Sequence, residues 1–383
     1  MKPVRLLHAI HSFSWGGLEL YSTELIIKLQ ATHVEQWVMC FEGSRIAKEL
    51  KSAGVRTIET TGKKISKIDE AGLIRGAIRK HDITHLHSHT RIDMWAACVA
   101  RWFNSDIKHV YNLYMNAIPK RDFVHRALFR RVDALCSSSE DILKDVKKNF
   151  PMDPSKLKLV RYGRDTDKFV PSPALREQIR EKFAVQKDQM VIGTLCRIDA
   201  GKGVRELVES LDYLPDEDLK KVQIWVIGDR TVLGQSDKGE VIYEPDSQAL
   251  YDWMLARAGS ERLKNHLHHI SFQREYIPYI DALDIFALAS YNETYSLSVI
   301  DAMMMGKPVI GTNAGGTPEQ VGGSERGVLA EPRSGQSLAD CIRYYLMHPD
   351  KAQKHGEKGR DWALHNHNWP NTLKHFTELY QKL

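Results

Sequence analysis

Two short stretches of the sequence combine residue types that could bind a phosphorylated sugar. In the first, Arg197 and Lys202 lie five residues apart on a turn that also contains Gly201 and Gly203. A fork-shaped guanidinium and a point-charge ammonium suit the two phosphates of a diphosphate, and they would neutralise the charge of a leaving diphosphate. A solvated basic turn is the alternative interpretation, and this stretch alone does not separate the two.

The second stretch runs from Glu293 to Gly316 and is predicted to form a loop, a helix and the start of a strand. The helix would begin at Tyr295 or Ser296, and its unpaired backbone amides would favour an anion. Two carboxylates, Glu293 before the helix and Asp301 within it, would repel that anion, so they need a different role. We predict that Glu293 accepts hydrogen bonds from a hexose and Asp301 from a ribose. A capped surface helix with two solvated acids is the alternative.

Both stretches follow apolar runs with the length of buried strands, and the whole chain repeats this pattern. Strands alternate with helices over residues 4–150 and again from residue 190, with a proline-bounded segment, residues 151–173, between the two series. Such alternation predicts parallel sheets covered by helices on both faces. We therefore expect two similar α/β domains, with a ligand between them at the carboxyl ends of the strands. The predicted segments are two domains, 1–165 and 166–365, and a terminal helix, 366–383.

Two details of the pattern give further expectations. Trp369, Leu373, Phe376 and Tyr380 recur at spacings of 4, 3 and 4, which predicts one apolar face on the terminal helix. Residues 229–246 form a polar insert that is predicted to be a mobile loop.

The composition is that of a globular protein without a membrane segment. Of the 383 residues 42% are hydrophobic, and no apolar run approaches the roughly 18–20 residues that span a bilayer. The N-terminus lacks the apolar core of a signal peptide. Five scattered cysteines, an odd number, indicate reduced thiols in a cytoplasmic protein rather than a disulfide framework.

Positive charge is concentrated in the first part of the chain. Residues 1–160 contain 26 Lys and Arg against 17 Asp and Glu, although the whole chain carries only +5. This asymmetry predicts an anionic acceptor or an anionic membrane surface as a partner. Nucleic acid is not expected, because no nucleic-acid-binding module is recognisable. Lys120–Arg131 is a basic helix with apolar residues between its charges, so it is a membrane-facing element, a face that binds the anionic acceptor, or a solvated amphipathic helix.

Taken together, these motifs resemble those of the retaining glycosyltransferases of family 4, which have the GT-B fold of two Rossmann-like domains. Glu293–Val309 is similar to the family's E-x7-E element followed by A-M-x-x-G-x-P-V, with Asp301 in place of the second glutamate. Arg197–Gly203 is similar to the Arg…Lys-Gly phosphate turn, and Gly16-Gly17 to the N-terminal glycine loop. The resemblance covers essentially the whole chain, including the terminal helix.

The resemblance implies two domains that face each other across a cleft, with the terminal helix crossing back to the N-terminal domain. The N-terminal domain would bind the acceptor, and the second domain would bind a nucleotide-diphosphate sugar whose hexose is transferred with retention of configuration. The implied donor-binding residues are Gly16, Gly17, Arg197, Lys202, Arg274, Glu293, Tyr295, Ser296, Leu297 and Asp301.

Within this set, the resemblance implies a catalytic group of Glu293, Arg197 and Lys202. The two cations would hold the diphosphate, and Glu293 would bind sugar hydroxyls. Backbone groups at residues 295–297 would reach the donor sugar and its phosphate, and the base would pack near Phe272–Arg274. No metal or other cofactor is expected, because the two cations and the helix dipole would supply the positive charge.

The sequence departs from the family pattern near the expected reacting centre. Tyr114 stands where the family has a histidine, so the role of that histidine is either lost or passed to His87 or His89. Tyr162-Gly163 likewise replaces the family's Asn-Gly where the two domains join.

Four residues are therefore the predicted cleft residues outside the donor set: Trp15, His87, His89 and Tyr114. His85, His87 and His89 fall on one face of a predicted strand, and this leaves three interpretations open. They could ligate a metal, line the cleft, or be structural histidines that are satisfied within the core.

The function expected from these observations is the assembly of a cell-surface glycan, such as lipopolysaccharide or capsule, on a glycan or lipid-linked acceptor at the inner face of the cytoplasmic membrane. Two alternatives remain. One is a nucleotide-sugar 2-epimerase or a phosphorylase on the same fold, and the other is a non-catalytic subunit that binds a sugar nucleotide. A dehydrogenase is not expected, because Ser14–Glu19 lacks the G-x-G-x-x-G spacing.

Overall fold

The structure, a computed structural model, describes residues 3–62, 66–235 and 240–383, and it divides into two compact units. The first unit contains the chain up to Arg164 together with His367–Leu383, and the second unit is Asp165–Asn366. The boundaries drawn from the sequence, 165/166 and 365/366, differ from these divisions by one residue each. Each unit is built on a parallel sheet, as the alternation of strands and helices predicts.

Seven parallel strands form the sheet of the first unit. They are β1 (Arg5–Ile10), β2 (Glu35–Phe41), β3 (Thr57–Thr60), β4 (His85–Ser88), β5 (Lys108–Asn112), β6 (Ala134–Ser137) and β7 (Leu157–Leu159). They lie side by side in the order β3-β2-β1-β4-β5-β6-β7. Chain order reverses between β1 and β4, and in open α/β sheets such a reversal marks the crevice where ligands bind.

Six helices connect these strands. They are α1 (Gly17–Leu29), α2 (Arg45–Ser52), α3 (Lys67–His81), α4 (Arg91–Arg101), α5 (Phe123–Phe129) and α6 (Glu140–Asn149). Strand β4 is buried along its whole length, and β1 is buried from Leu6 to Ile10. Several buried positions on β1, β4 and β5 are nevertheless polar, and they include His8, His87 and His109.

The second unit contains eight strands and nine helices among the residues that the structure describes. The strands are β8 (Met190–Leu195), β9 (Val222–Ile227), β10 (Val232–Gln235), β11 (Val241–Tyr243), β12 (Leu267–Ile270), β13 (Ile285–Ala287), β14 (Val309–Thr312) and β15 (Gly327–Ala330). Six of them form a parallel sheet in the order β12-β9-β8-β13-β14-β15, and β10 pairs with β11 as an antiparallel hairpin. The helices are α7 (Pro173–Lys182), α8 (Val204–Glu209), α9 (Asp216–Leu219), α10 (Pro245–Ala258), α11 (Ile277–Ala282), α12 (Leu297–Met304), α13 (Thr317–Val321), α14 (Gly335–Met347) and α15 (Pro349–Asn366).

The last helix, α16 (Trp369–Lys382), packs on the first unit. This confirms the expectation that the terminal helix returns to the N-terminal domain. Three residues of its predicted apolar face, Trp369, Phe376 and Tyr380, are buried, and Leu373 is half-buried. The spacing of these residues therefore identifies the face that α16 buries.

Residues 229–246, expected to form a mobile loop, contain the β10–β11 hairpin. The Arg230 guanidinium lies 3.7 Å from the ring centroid of Tyr243 and 4.3 Å from that of Tyr251. Cation–aromatic contacts of this kind order a segment that lacks an apolar pattern. Residues 236–239 lie outside the described residues, so the expectation is corrected for the hairpin strands and not for the segment between them.

Helix α15 is not predicted by the sequence, because its buried side shows no apolar periodicity. The buried positions are His355, Gly356, Gly359 and Ala363. A Cβ at Gly356 would lie 2.2 Å from the Gly306 carbonyl oxygen, so the glycine allows the helix to approach that backbone closely. Small residues at a close contact do not produce the stripe of large apolar residues by which a buried helix is recognised.

Helix α7 also lies where the sequence predicts no helix. It buries none of its residues. Its attachment is ionic, because the guanidinium groups of Arg176 and Arg180 both bind the Asp284 carboxylate, the latter at 2.8 Å. An element attached through charged side chains leaves little hydrophobic signal in the sequence.

No helix within the described ranges has the length and apolar character needed to cross a membrane. All five cysteines are free thiols. Burial raises the pKa of the Cys40, Cys98 and Cys136 thiols to about 12, so these three remain protonated in the core.

A buried charged cluster connects β1 to α3 and α4. His11 Nδ1 lies 2.7 Å from Asp93 Oδ1 and 3.2 Å from Glu70 Oε1. Burial alone would lower the pKa of His11, but the hydrogen bonds and charges of Asp93 and Glu70 outweigh it and raise that pKa to about 9. Burial raises the pKa of the Glu70 carboxyl to about 7, although His11 opposes this rise. The cluster therefore binds protons more tightly in the folded chain than in the unfolded chain.

This cluster predicts that thermal stability falls as pH rises from 6 to 9.5. The contribution of His11 is complete below its unfolded pKa of 6.5 and is lost as pH rises through about 9. The full effect is on the order of 3 kcal/mol. Differential scanning calorimetry across this pH range measures it. His11→Gln should flatten the decline, and His33→Gln, at an exposed position, should leave it unchanged. An equally steep decline in His11→Gln would contradict the assignment.

Gly163 and the Trp369 ring lie so close together that the packing of α16 should not tolerate a larger side chain at position 163. A Cβ at Gly163 would lie 2.3 Å from Trp369 Cε3. Trp369 also stacks on Tyr21 with ring centroids 5.7 Å apart, so its ring has little freedom to move. Gly163→Ala should destabilise the protein by about 1–3 kcal/mol in urea unfolding. Gly72→Ala is the control, because nothing lies within 4 Å of a Cβ there. If both variants unfold at the wild-type midpoint, the close approach is wrong.

Candidate functional site

The turn that carries Lys202 is held against the segment after β13 by its backbone. Gly203 has a φ of +65°, and a Cβ at this position would lie 2.0 Å from the Ala289 carbonyl oxygen. The Tyr291 N–H donates to the Gly201 carbonyl at 3.0 Å. Strands β8 and β13 are neighbours in the sheet, so the segments leaving their carboxyl ends meet. Gly203 is required for this approach, because a side chain there would displace the turn.

The approach of these two segments brings together two of the predicted site residues. Lys202 Nζ lies 2.6 Å from Glu293 Oε2, and the two side chains are 26% and 18% exposed. The Ser290 hydroxyl donates to the same carboxylate oxygen at 3.4 Å. A charge-assisted hydrogen bond of this length is strong, but a pair that is partly exposed remains open to competition from a ligand. Lys202 and Glu293 therefore share one location at the carboxyl edge of the sheet.

Arg197, the second predicted cation, does not contact Glu293. Its side chain is 59% exposed, and its guanidinium lies 3.9 Å from the Asp199 carboxylate. An exposed ion pair at this separation contributes little free energy. The Arg197 side chain can therefore reorient towards an anion bound at the turn it shares with Lys202.

Two glycines support the loop that carries Glu293. Gly315 has a φ of +57°, and a Cβ there would lie 2.2 Å from the Glu293 carbonyl oxygen. The Gly316 N–H donates to that same oxygen at 2.8 Å. Gly315 and Gly316 thus fix the backbone of Glu293, which explains why the predicted unit extends as far as Gly316.

Gln320, which the sequence analysis did not identify, satisfies backbone groups at the start of α12. The Ser296 hydroxyl accepts from the Val299 N–H and caps the helix. The Gln320 side chain accepts from the Ser296 N–H and donates to the Ser296 carbonyl, both at 2.8 Å. This corrects the expectation that the Ser296 amide reaches the donor phosphate. The Leu297 N–H has no acceptor among the described residues, and Tyr295 is buried.

Asp301 is located beside the segment expected to receive the base. It is 3% exposed, and the Tyr276 hydroxyl donates to its Oδ2 at 2.8 Å. Tyr276 follows Phe272 and Arg274, which are both exposed, in the segment after β12. Tyr276 therefore connects the predicted ribose-binding residue to the segment that carries the predicted base-binding residues. No motif in the sequence indicates this role for Tyr276.

The glycine loop of the first unit is occupied by one of its own side chains. The Gly16 N–H donates to Glu19 Oε2 at 2.9 Å, and the Ser12 hydroxyl donates to Glu19 Oε1 at 2.7 Å. Trp15 lies beneath the Arg45 guanidinium, 4.3 Å from ring centroid to carbon. The buried Glu19 carboxylate thus takes the place at the start of α1 that an anionic ligand would take. Its position three residues after Gly16 is a capping-box spacing, so the sequence contained this signal.

The other three predicted cleft residues are in the core. His87, His89 and Tyr114 are buried. The hydroxyl of Tyr380 lies 2.7 Å from His87 Nδ1, and that of Tyr114 lies 3.0 Å from His89 Nδ1. Burial lowers the pKa of His87 to about 4, so this imidazole is neutral. These positions correct two expectations, that the three residues line a cleft and that His87 or His89 takes the role of the family histidine.

Comparisons with known proteins agree on one family. The model described as "Glycosyl transferases group 1" matches residues 176–362, and the model described as "Glycosyltransferase Family 4" matches residues 15–168. One match falls in the second unit and the other in the first, and together they include most of the chain.

Two curated relatives are similar to this chain over much of its length. Alpha-maltose-1-phosphate synthase of Mycolicibacterium smegmatis is 24% identical over 68% of this chain and 66% of the synthase. D-inositol 3-phosphate glycosyltransferase of Corynebacterium urealyticum is 23% identical over 82% of this chain and 75% of that enzyme. The chain therefore spans slightly less than two thirds of the synthase.

A solved structure resembles the chain over its full length. The crystal structure of HepE from Anabaena in complex with UDP superimposes with a TM-score of 0.84. The alignment covers 99% of this chain and 100% of that chain at 17% identity. At this identity the likeness shows the fold.

Proposed function

Because the chain belongs to the family 4 glycosyltransferases and has their GT-B fold, we propose that it transfers a hexose from a nucleotide-diphosphate sugar to an anionic acceptor, with retention of the anomeric configuration. The observation that carries this proposal is the ion pair of Lys202 and Glu293, 2.6 Å apart at the carboxyl edge of the second sheet. An exchangeable cation and a carboxylate at one point suit a ligand that has both a diphosphate and sugar hydroxyls.

The pair suggests how the donor is received. A diphosphate would compete with Glu293 for the Lys202 ammonium, and Arg197, weakly held by Asp199, would close on the second phosphate. Once the Lys202 ammonium binds the diphosphate instead of Glu293, the Glu293 carboxylate is available to accept hydrogen bonds from the hexose. The Leu297 amide at the start of α12 would add a donor to the phosphate next to the sugar. As the bond to the sugar breaks, negative charge grows on the leaving diphosphate. The positive groups therefore bind it more strongly in the transition state than in the ground state, which stabilises the transition state.

The nucleoside would extend from the diphosphate towards Asp301. The Asp301 carboxylate, fixed by Tyr276, would accept from the ribose, and the exposed Phe272 and Arg274 would meet the base. The structural relative HepE is described in complex with UDP, which supports a nucleotide diphosphate as part of the donor. We propose that no metal acts at this position, because Arg197, Lys202 and the α12 amide supply the positive charge.

An anionic acceptor is supported by charge and by the relatives. Residues 1–160 carry the excess of Lys and Arg. Both relatives are named after a phosphate ester, which is maltose 1-phosphate in one name and inositol 3-phosphate in the other. A surface glycan or lipid-linked intermediate such as those of lipopolysaccharide or capsule would present this charge. The competing candidate is a subunit that binds a sugar nucleotide without turnover, which is favoured by the burial of Tyr114 at the place of the family histidine.

Variants of the ion pair test the donor site. Lys202→Ala and Glu293→Gln should each lower transfer from a nucleotide sugar by about 100-fold or more, because a charge that acts on the transition state is lost. Lys202→Ala should also weaken nucleotide-diphosphate binding in calorimetry. Lys264→Ala is the matched control, since it removes an exposed ion pair of 2.9 Å with Glu261 in the same unit.

Product analysis separates the alternatives in the same experiment. Proton NMR of the glycoside should show the anomeric configuration of the donor. Sugar inversion at C2 without an acceptor would indicate an epimerase, and dependence on inorganic phosphate would indicate a phosphorylase. Donor binding without turnover across a panel of phosphorylated acceptors would favour the non-catalytic subunit. Wild-type activity in both Lys202→Ala and Glu293→Gln would refute the site.

We also propose that the region of α5 contacts an anionic membrane surface, as the basic helix of residues 120–131 predicts. The helix is shorter than expected, and Arg121, Arg126 and Arg131 donate to backbone carbonyls of the protein. Two exposed side chains at the ends of α5 remain available to a surface: Phe123 at its start is 82% exposed, and Arg130 follows its last residue and is also exposed. An exposed aromatic residue and an exposed cation on one helix are suited to the boundary between headgroups and acyl chains.

Vesicle flotation tests this surface. The double variant Phe123→Ser with Arg130→Glu should reduce binding to vesicles rich in phosphatidylglycerol by at least about tenfold. Leu255→Ser with Arg262→Glu, at exposed positions in the second unit, provides the control. Equal binding of wild type to neutral and anionic vesicles would show that charge plays no part.

A further inference from the structure

A cluster of three histidines in the first unit has no role in the proposed transfer. His8 on β1 and His87 on β4 are register partners, and His89 follows two residues after His87 on the same face. Each offers one ring nitrogen, and these three nitrogens all lie within 4.8 Å of one another. All three side chains are buried. His8 was not part of the sequence prediction, because β1 and β4 become neighbours only in the folded sheet.

We propose that His8, His87 and His89 bind one divalent transition-metal ion, for which Zn²⁺ fits the ligand set. Imidazole nitrogens are among the preferred ligands of zinc, and three protein ligands leave a fourth position for a solvent molecule. No thiol or carboxylate belongs to the cluster, so ions that require oxygen ligands, such as Mg²⁺ or Ca²⁺, are not expected.

The outer nitrogens of the cluster already have partners that would orient the rings. His87 Nδ1 lies 2.7 Å from the Tyr380 hydroxyl, and His89 Nδ1 lies 3.0 Å from the Tyr114 hydroxyl. In both rings this leaves Nε2 for the metal. Metal-ligating histidines characteristically place their second nitrogen against an oxygen in this way, which fixes the tautomer and the ring orientation.

The third ring, His8, presents its other nitrogen, Nδ1, to the cluster. His8 Nδ1 faces the cluster, 2.9 Å from His89 Nε2, and the Gln36 side chain acts on His8 as a hydrogen-bonding neighbour. Gln36 Nε2 donates to the Ile26 carbonyl at 2.7 Å, which leaves the amide oxygen as the group available to His8 Nε2. The outward nitrogen of His8 differs from those of the other two rings, because His8 Nε2 is buried and has no hydrogen-bond partner among the described residues.

Without a metal the inward nitrogens are poorly satisfied. His87 Nε2 is buried and makes no hydrogen bond of good geometry among the described residues, although the Asn112 side chain is a hydrogen-bonding neighbour of this ring. His8 Nδ1 and His89 Nε2 can satisfy each other, but His87 has no further imidazole nitrogen available to it. Buried polar atoms without partners are rare and call for an explanation. A metal ion bound to all three nitrogens provides one.

The distances are compatible with coordination after small ring movements. Nitrogens bound at about 2.0–2.1 Å in a tetrahedral geometry are separated by roughly 3.3 Å. The observed separation of 2.9 Å between His8 Nδ1 and His89 Nε2, and the limit of 4.8 Å for the set, bracket this value. Burial also lowers the pKa of all three imidazoles, which keeps them neutral and able to ligate.

A second cluster of potential ligands, His11, Glu70 and Asp93, is less suitable. There His11 Nδ1 is already paired with both carboxylates, at 2.7 Å from Asp93 and 3.2 Å from Glu70, so a metal ion would have to displace these contacts. The two clusters have opposite electrostatics, and the one that consists of neutral imidazoles is the better candidate.

Metal analysis of the full-length, untagged protein tests the proposal. After loading with Zn²⁺ and gel filtration, inductively coupled plasma mass spectrometry should find about one zinc per chain in wild type. His87→Gln should retain less than about one tenth of that amount. His85→Gln is the matched control, because His85 is on the same strand but outside the cluster, and it should retain the wild-type amount.

Thermal unfolding provides a second measurement that does not require a variant to fold. Zn²⁺ should raise the midpoint of the wild-type protein, and a chelator should reverse the shift, because binding to the folded state alone stabilises it. Co²⁺ loading should give the visible absorption of a four-coordinate nitrogen site. Zinc-free wild type after loading, or equal zinc in wild type and His87→Gln, would overturn the proposal.

Discussion

The second unit depends on two backbone segments that approach to contact distance at one edge of a parallel sheet. A glycine at position 203, with a Cβ excluded by the Ala289 carbonyl, makes the approach possible, and the ion pair of Lys202 with Glu293 stabilises it. In this pair the charges of the Lys202 ammonium and the Glu293 carboxylate neutralise each other. In the transfer proposed above, the diphosphate would replace Glu293 as the partner of Lys202 by a group of the same sign, so little charge would have to be desolvated without compensation.

The starts of α1 in the first unit and α12 in the second unit satisfy their backbone groups differently. In the first unit the Glu19 carboxylate accepts from the Gly16 amide, so the loop satisfies its own hydrogen bonds. In the second unit Gln320 satisfies both backbone groups of Ser296, and the next amide, at Leu297, is the one that we propose reaches the donor. Helix starts in two units of similar fold therefore differ in how many backbone amides they leave for a ligand. Single side chains, Glu19 and Gln320, make this difference.

Much of the fold and part of the site could be predicted from the sequence. Alternating apolar runs predicted both parallel sheets, and the spacing of Trp369, Phe376 and Tyr380 predicted the buried face of α16. Helix α15 could not be predicted, because close packing at Gly356 leaves no apolar stripe. Gln320 and the partnership of His8 with His87 depend on which distant segments become neighbours, and a motif within one segment contains no such information.

The packing of α16 on the first unit has a consequence for the order of events during synthesis. Strands β1 to β7 leave the ribosome first, but the helix that covers Tyr21 and His87 is translated only after the whole of the second unit. Until then the surface beneath Trp369 and Tyr380 is open to water and to other nascent chains. The first unit is thus the first to be synthesised and the last to be complete, because its contacts with Trp369 and Tyr380 can form only after the second unit has been translated.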